Sequence, residues 1–222
     1  MALAVKVCGL SDPAAVEAAV RGGARYLGFV FYPPSPRSLT PERAAELAAA
    51  APAGVTTVGV LVDPDDAFLD ELLARMPLGL LQLHGRETPA RVAEVRARTG
   101  RPVMKALRIA AAADLAPVRA YAEVADLLMF DARAPARPGM LPGGNGLSFD
   151  WRLLRGLDSG GRPWLLSGGL DAANLADAVA ASGATAVDVS SGVESRPGVK
   201  DPGRVTAFLR AAAALDSDTF AA

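Results

Sequence analysis

The sequence predicts an α/β fold, a single (β/α)8 TIM barrel. Short β-branched and aliphatic runs alternate with longer Ala/Glu/Arg/Leu stretches of helical period, and Gly, Pro or Asp stands at almost every junction. Eight such units in 222 residues average about 28 residues each, the usual density of this barrel. A doubly wound sheet is the alternative, but such a chain would open with a Gly-rich phosphate turn, which is absent here.

Eight strands are predicted, and most are apolar on both faces, as in Leu27–Phe31. This pattern is typical of parallel strands covered by helices. The predicted strands are Val5–Val7, Tyr26–Phe31, Thr57–Leu61, Leu80–Leu83, Val103–Leu107, Leu127–Phe130, Trp164–Leu166 and Ala186–Val189.

Eight helices are predicted between and after the strands. Several begin with a side-chain oxygen that can cap free amides, followed by proline at the first helical position, as in Thr40-Pro41 and Asp201-Pro202. The predicted helices are Pro13–Arg21, Pro41–Ala50, Asp65–Ala74, Pro89–Thr99, Leu115–Glu123, Trp151–Gly156, Ala173–Ala181 and Pro202–Leu215. No linker divides the chain, so residues 1–216 are expected to form one domain and residues 217–222 a disordered tail.

Composition excludes several classes of function. With 23 Lys+Arg against 24 Asp+Glu and no long basic run, the chain has no electrostatic footprint for nucleic acid or an anionic membrane. No targeting segment and no transmembrane helix are expected, because the apolar start is short and no apolar run reaches about 18 residues. One cysteine and one histidine supply neither a disulfide nor a structural zinc site. The sequence therefore predicts a cytoplasmic protein that binds no metal.

Polar residues at the carboxyl ends of the strands are the candidate site, because a barrel builds its active site on that face. Cys8 ends the first strand and Asp131 the sixth, so the two are expected to face each other across the barrel mouth. A base opposite an acid suits an isomerisation that moves protons. The alternative for Cys8 is a small buried hydrophobic residue.

Three glycine-rich clusters follow the sixth, seventh and eighth strands, where backbone amides can converge on a phosphate. Glycine after a strand is also ordinary turn chemistry. The predicted phosphate-binding residues are Gly144, Gly146, Gly168, Gly169, Ser190, Ser191 and Gly192. The long Pro/Gly-rich segment 132–150, which contains the first cluster, is predicted to be either a mobile lid or an exposed insertion.

Three further polar groups have more than one interpretation. Arg37 can grip a substrate carboxylate or stay solvated. His84 can act on substrate, as a catalytic acid/base or a binding contact, or it can be a packed, hydrogen-bonded orienting residue. Asp188 can point at the ligand, or it can pair inside the barrel with Lys6 or Lys105, whose roles we expect to be mainly electrostatic or structural.

A series of segments in collinear order from residue 5 to about 210 resembles the phosphoribosylanthranilate isomerase family of tryptophan biosynthesis. The matching segments are Lys6–Leu10, Gly28–Phe31 with Ser35–Arg37, Val58–Val62, Leu81–Gly85, Lys105–Arg108, Asp131, Gly143–Gly146 with Phe149–Trp151, Leu166–Leu170, Val187–Glu194 and Pro197–Asp201. Leu147 departs from the pattern, since the family commonly has a lysine there.

The resemblance implies an Amadori rearrangement of N-(5-phosphoribosyl)anthranilate to 1-(2-carboxyphenylamino)-1-deoxyribulose 5-phosphate without a cofactor. It implies that Asp131 is the general acid, Cys8 the general base and Arg37 the holder of the anthranilate carboxylate. It further implies that the loops after strands six to eight hold the phosphate, and that Asp188 contacts the substrate near the reacting centre.

Two other functions compete with this interpretation. Another phosphosugar barrel is one, but an indole-glycerol-phosphate synthase would need a lysine and glutamate pair that we cannot place, and an epimerase would need clustered metal ligands. A catalytically silent phosphate-binding barrel is the other, and it would need neither Cys8 nor Asp131. The predicted partner is a small phosphosugar, with no nucleic acid and no membrane, and the chain is expected to be a monomer or a homodimer.

Overall fold

The computed structural model describes residues 2–134, 141 and 143–218, and in it eight parallel strands close into a barrel in the order β1 to β8. The predicted fold class is confirmed. The strands are β1 Ala4–Cys8, β2 Tyr26–Phe31, β3 Thr56–Leu61, β4 Leu80–Leu83, β5 Val103–Ile109, β6 Leu127–Ala132, β7 Trp164–Leu166 and β8 Ala186–Val189. Closure pairs β1 with β8, with Lys6 opposite Asp188.

Seven α-helices lie in the described ranges: α1 Pro13–Arg21, α2 Pro41–Ala48, α3 Asp66–Arg75, α4 Pro89–Thr99, α5 Val118–Val124, α6 Leu175–Ser182 and α7 Pro202–Asp218. The capping oxygens behave as expected: Asp12, Thr40 and Thr88 each accept a hydrogen bond from a first-turn amide of the following helix. No helix in these ranges is long and apolar enough to span a membrane.

Two predicted helices differ from the structure. The one predicted over Leu115–Glu123 begins only at Val118, after the N-cap Pro117, and Leu115 instead ends a separate 3-10 turn, Ala112–Leu115. The one predicted over Trp151–Gly156 is a single 3-10 turn, Trp151–Leu154, capped by the Asp150 side chain. Both changes lie on the outside of the barrel wall.

A two-stranded hairpin, absent from the predicted elements, follows β8. It consists of β9 Glu194–Arg196 and β10 Val199–Lys200, reached through the 3-10 turn Ser191–Val193. Gly198 in its turn has φ +83°, a conformation that glycine adopts without steric cost. The hairpin carries charged residues back to the barrel mouth, where the site lies.

Two of the three apolar clusters in the described residues make up most of the core. The larger one packs the strands against the surrounding helices. The smaller one takes alternate positions of β3 to β7, namely Val58, Leu80, Met104, Ala106, Met129 and Leu165. Alternate strand positions share one face, so this second cluster fills the barrel and supports the residues at its mouth.

Two sequence-based predictions fall partly outside the described residues. Helix α7 continues to Asp218, two residues into the segment predicted as a tail, and residues 219–222 lie outside the described ranges. Of the predicted lid, residues 135–140 and 142 also lie outside them. Its later part, Gly143–Leu147, lines the cavity described below.

Candidate active site

One cavity occupies the carboxyl end of the barrel and brings nearly all of the predicted site residues together. It is open to solvent, and the space inside it, counted out to its mouth, is about 780 Å³. The predicted residues that line it are Cys8, Arg37, His84, Asp131, Gly144, Gly146, Gly168, Gly169, Asp188, Ser190 and Ser191. Gly192 is not among the lining residues; it packs against the Leu170 carbonyl oxygen, which an added Cβ would overlap.

Cys8 is a buried free thiol at the end of β1. Gly28 of the neighbouring strand β2 packs beside Cys8 and Lys6. A Cβ at Gly28 would lie 3.2 Å from Cys8 Sγ and 3.0 Å from Lys6 Nζ. Burial raises the pKa of the Cys8 thiol, while the nearby cations Lys6 and Lys200 lower it. The thiol therefore depends on neighbouring positive charge to ionise.

Asp131 ends β6 on the far side of the cavity and is held in a hydrogen-bonded chain. Its Oδ1 accepts from the Ala132 amide at 2.9 Å, and its Oδ2 lies 3.2 Å from His84 Nε2. Gln82 Nε2 donates to His84 Nδ1 at 2.9 Å, which leaves the ring proton on Nε2, where Asp131 accepts it. His84 thus orients the carboxyl group and also lines the cavity, so both of its predicted interpretations have a structural basis.

The glycine loop after β6 lies across the acid and the arginine. A Cβ on Gly143 would lie 2.6 Å from Asp131 Oδ2 and 2.7 Å from His84 Nε2. Gly144, at φ +72°, accepts a hydrogen bond at 3.1 Å from Arg37 Nη2 through its carbonyl oxygen. Gly144, predicted to bind phosphate, therefore contacts the arginine that was predicted to hold the carboxylate.

Arg37 is buried and already engaged by a carboxylate of the protein itself. Its Nε and Nη2 donate to Glu194 Oε1 and Oε2 at 2.7 and 2.8 Å, a bidentate pair. The interpretation of Arg37 as a solvated loop residue is wrong. Because two nitrogens are committed to Glu194, Nη1 is the nitrogen left for a ligand, and it lies close to Gly144.

Asp188 pairs inside the barrel with Lys6, the alternative that the sequence had left open. Lys6 Nζ lies 2.8 Å from Asp188 Oδ1, and Ser167 Oγ donates to Asp188 Oδ2 at 3.1 Å. The side chain of Lys6 is fully buried, and Asp188 raises its pKa against the effect of burial. Asp188 nevertheless also borders the cavity.

The loops after β7 and β8 form another part of the cavity wall. Gly168 and Gly169 adopt φ +95° and +65°, and a Cβ on Gly168 would lie 2.8 Å from the Ala132 amide nitrogen. Gly146 comes near Ser191, whose Oγ would lie 3.6 Å from a Cβ at that position. Three loops thus converge here, as predicted for a phosphate site, and Leu147 at the rim is a large apolar side chain exposed to 37%.

Lys105 does not line this cavity. Lys105 Nζ pairs with Glu87 at 2.6 Å and donates to the Gly85 carbonyl oxygen at 3.0 Å. Glu87 in turn accepts from the amides of Asp63 and Gly85. This cluster joins the loops after β3 and β4 and so has the structural role expected of Lys105.

Sequence reasoning missed Glu194 and Lys200. Both were part of the matching segments, but neither was given a role. The sequence did carry a signal, since only three of its 23 basic residues are lysines. In the structure all three lysines are buried beside a carboxylate. Within the described part of the chain, no group of three His, Cys, Asp or Glu could hold a metal ion.

Comparison with known proteins gives one family. A family model described as N-(5'-phosphoribosyl)anthranilate (PRA) isomerase matches residues 5–211. A protein of that name from Rhodospirillum centenum is 60% identical over 97% of this chain and 100% of its own length. Its counterpart from Paracoccus denitrificans is 58% identical over 96% of this chain and 99% of its own.

Solved structures agree with the sequence comparison. A phosphoribosylanthranilate isomerase in complex with reduced 1-(o-carboxyphenylamino)-1-deoxyribulose 5-phosphate has a TM-score of 0.81 at 31% identity, covering 95% of this chain and 98% of that one. A structure of monomers generated from the dimeric enzyme of Thermotoga maritima has the same TM-score, identity and coverage.

Proposed function

The chain belongs to the N-(5'-phosphoribosyl)anthranilate isomerase family, and from this premise we propose how its residues carry out the reaction. It is an enzyme of tryptophan biosynthesis that isomerises N-(5-phosphoribosyl)anthranilate to 1-(2-carboxyphenylamino)-1-deoxyribulose 5-phosphate. The observation that carries the proposal is that Cys8 and Asp131 line one cavity, from β1 and β6, with a buried arginine and the β7 and β8 loops also in its wall.

Asp131 acts as the general acid. Its carboxyl group donates a proton to the ribose ring oxygen; the bond from that oxygen to C1 breaks, and the anthranilate nitrogen forms a Schiff base with C1. His84 Nε2 at 3.2 Å from Oδ2 holds the carboxyl group in place. An acid fixed within hydrogen-bond reach accelerates such a step by about 10²–10⁴-fold.

Cys8 acts as the general base. Its thiolate removes the proton from C2, the electron pair forms the C1–C2 double bond of an enolamine, and tautomerisation yields the ketone. The alternative of Cys8 as only a buried hydrophobic residue is less consistent with its place, since it borders the cavity beside Lys6. A nearby cation favours the thiolate that this step requires.

Two ends of the cavity hold the two charged ends of the substrate. Arg37 Nη1 receives the anthranilate carboxylate, while Glu194 keeps the rest of the guanidinium in place. The phosphate lies against the amides of Gly168, Gly169, Ser190 and Ser191, with Gly146 nearby. Local amides and one arginine can bind a dianionic substrate on a protein of net charge −1.

Location and assembly follow from other features. We place the enzyme in the cytoplasm because its one cysteine is a buried free thiol. A monomer and a homodimer are the two expected assemblies. The dimeric relative from Thermotoga maritima makes the homodimer the state to test first, by analytical ultracentrifugation.

The decay of fluorescence of freshly generated phosphoribosylanthranilate tests the reaction and both proton-transfer residues. We expect rapid decay with the wild type, and decay slower by about 10²–10⁴-fold with Asp131→Asn and with Cys8→Ala. Asp158→Asn is the control, because Asp158 is exposed to 76% far from the cavity. No decay above the spontaneous rate with the wild type would refute the activity; near-normal decay with either site variant would refute that residue's role.

A further inference from the structure

The hairpin β9–β10 carries two buried charges that the mechanism above does not use as reacting groups. Glu194 and Lys200 are 6% and 3% exposed, although they belong to a short surface hairpin. Lys200 Nζ forms an ion pair with Glu194 Oε1, the same oxygen that accepts from Arg37 Nε. Glutamate 194 is therefore shared between two cations, and the hairpin places both charges beneath the cavity.

Lys200 lies next to the start of the loop that follows Cys8. Its Nζ is 3.4 Å from Ser190 Oγ and would be 3.3 Å from a Cβ on Gly9, the residue after Cys8. Gly9 has φ +76° and lacks the side chain that would collide there with Arg37. The bare backbone at position 9 thus lets the ammonium group approach the end of β1.

The charges around Cys8 do not balance while it is a thiol. On β1 and β8 the pair of Lys6 and Asp188 is neutral. On the other side, Glu194 faces the two cations Arg37 and Lys200, which leaves one positive charge in excess. Val30, Val60 and Tyr32 form the apolar remainder of its surroundings. Ionisation of Cys8 would supply the missing negative charge.

We propose that Lys200, held by Glu194, is a positioning residue that stabilises the thiolate of Cys8. The proposal rests on the assigned role of Cys8 as the base. It extends the site to the hairpin β9–β10. Glu194 of this hairpin holds both Arg37, which binds the substrate carboxylate, and Lys200, the positive charge near the base. Burial raises the pKa of the Cys8 thiol, and Lys200 is among the cations that lower it.

Titration of the thiol tests the proposal without substrate. Because Cys8 is the only cysteine, the pH dependence of alkylation by iodoacetamide reports on it alone. We expect Lys200→Met to raise the midpoint by about one pH unit, and Glu194→Gln to lower it, because that change leaves two cations without their carboxylate. Arg196→Gln, on the exposed face of the same hairpin, should leave the midpoint unchanged.

The opposite signs separate electrostatics from structural damage. If the hairpin merely supports the fold, both substitutions would loosen the site and move the midpoint in the same direction, and the proposal would be refuted. It would also be refuted if Lys200→Met retained the wild-type midpoint. If Lys200→Met does not fold, as judged by circular dichroism, the downward shift in Glu194→Gln decides alone, and its absence overturns the proposal.

Activity gives a second readout. With Lys200→Met we expect kcat at neutral pH to fall about tenfold, KM to change little, and the loss to be recovered at higher pH as the thiol ionises. A loss of kcat that is equal at all pH values would contradict the proposal. An active Cys8→Ala variant would instead refute the role of Cys8 as the base, while the thiol titration would still show whether Lys200 acts on it.

Discussion

Gly143 lies so close to Asp131 that a Cβ on the glycine would be 2.6 Å from the carboxylate Oδ2. The same Cβ would be 2.7 Å from His84 Nε2. The glycine loop after β6 therefore rests directly on the hydrogen bond that orients the acid. Gly143 has no room for a side chain, because Asp131 and His84 occupy that space. Gly144 and Gly146 in the same loop also have a positive φ, which favours glycine.

Gly143→Ala should reduce kcat by about 10–100-fold, because the methyl group must displace either the loop or the carboxyl group by a fraction of an ångström. Steady-state kinetics with phosphoribosylanthranilate measures this. Gly203→Ala, in the first turn of α7 and away from the cavity, is the matched control and should leave kcat unchanged. Wild-type kcat in Gly143→Ala would show that the loop does not rest on the acid in solution.

Arg37→Ala should raise KM for phosphoribosylanthranilate by about 10–100-fold, the loss of a buried charge-assisted contact worth roughly 1–3 kcal/mol. Arg37→Lys keeps the charge but cannot form the bidentate pair with Glu194, so it should rescue KM only in part. Arg43→Ala, on an exposed arginine of α2, serves as the control. An unchanged KM in Arg37→Ala would contradict its role as the carboxylate-binding group.

Stability should depend on pH through Glu194. Although burial opposes it, Arg37 and Lys200 hold the pKa of Glu194 below its ordinary value. The unfolded chain then binds this proton more readily than the folded one, so the stabilisation is present above the ordinary glutamate pKa and is lost as pH falls through the folded value.

Urea unfolding of the wild type and of Glu194→Gln, at neutral pH and near pH 4, measures what the Glu194 carboxylate contributes to the free energy of unfolding. A pH of about 4 is chosen because it lies just below the ordinary glutamate pKa. The difference in free energy of unfolding should be largest at neutral pH and smaller in acid. Glu94→Gln, on an exposed glutamate of α4, controls for the general effect of lost charge. A difference that stays constant with pH would mean that Glu194 contributes by packing alone.

Much of the barrel could be predicted from the sequence because its signals are local. Caps such as Thr88 and apolar runs such as Leu80–Leu83 act within a few residues, and the structure has them where the pattern predicts. The weaker elements were misjudged where local signals compete. Helix α5 begins only after Pro117, and the stretch after Asp150 makes only one 3-10 turn.

Candidate residues at the strand ends could likewise be named from the sequence, because barrel topology alone places strand carboxyl ends on one face. Cys8 and Asp131 required no further information. Their neighbours did, since Arg37 and Glu194 are 157 positions apart and Lys6 and Asp188 are 182 apart. Such partners are chosen by chain closure and by burial, not by spacing.

By itself, then, the sequence determined the order of strands and helices and the set of groups offered at the barrel mouth, because these depend on local propensity and on the parity of strand positions. Only the tertiary structure decided which charges pair. A buried charge must meet a partner from whichever element packs against it. Here the hairpin after β8 places Glu194 beside Arg37 and Lys200 near the end of β1, where Cys8 lies. These residues come together because the barrel closes β8 against β1.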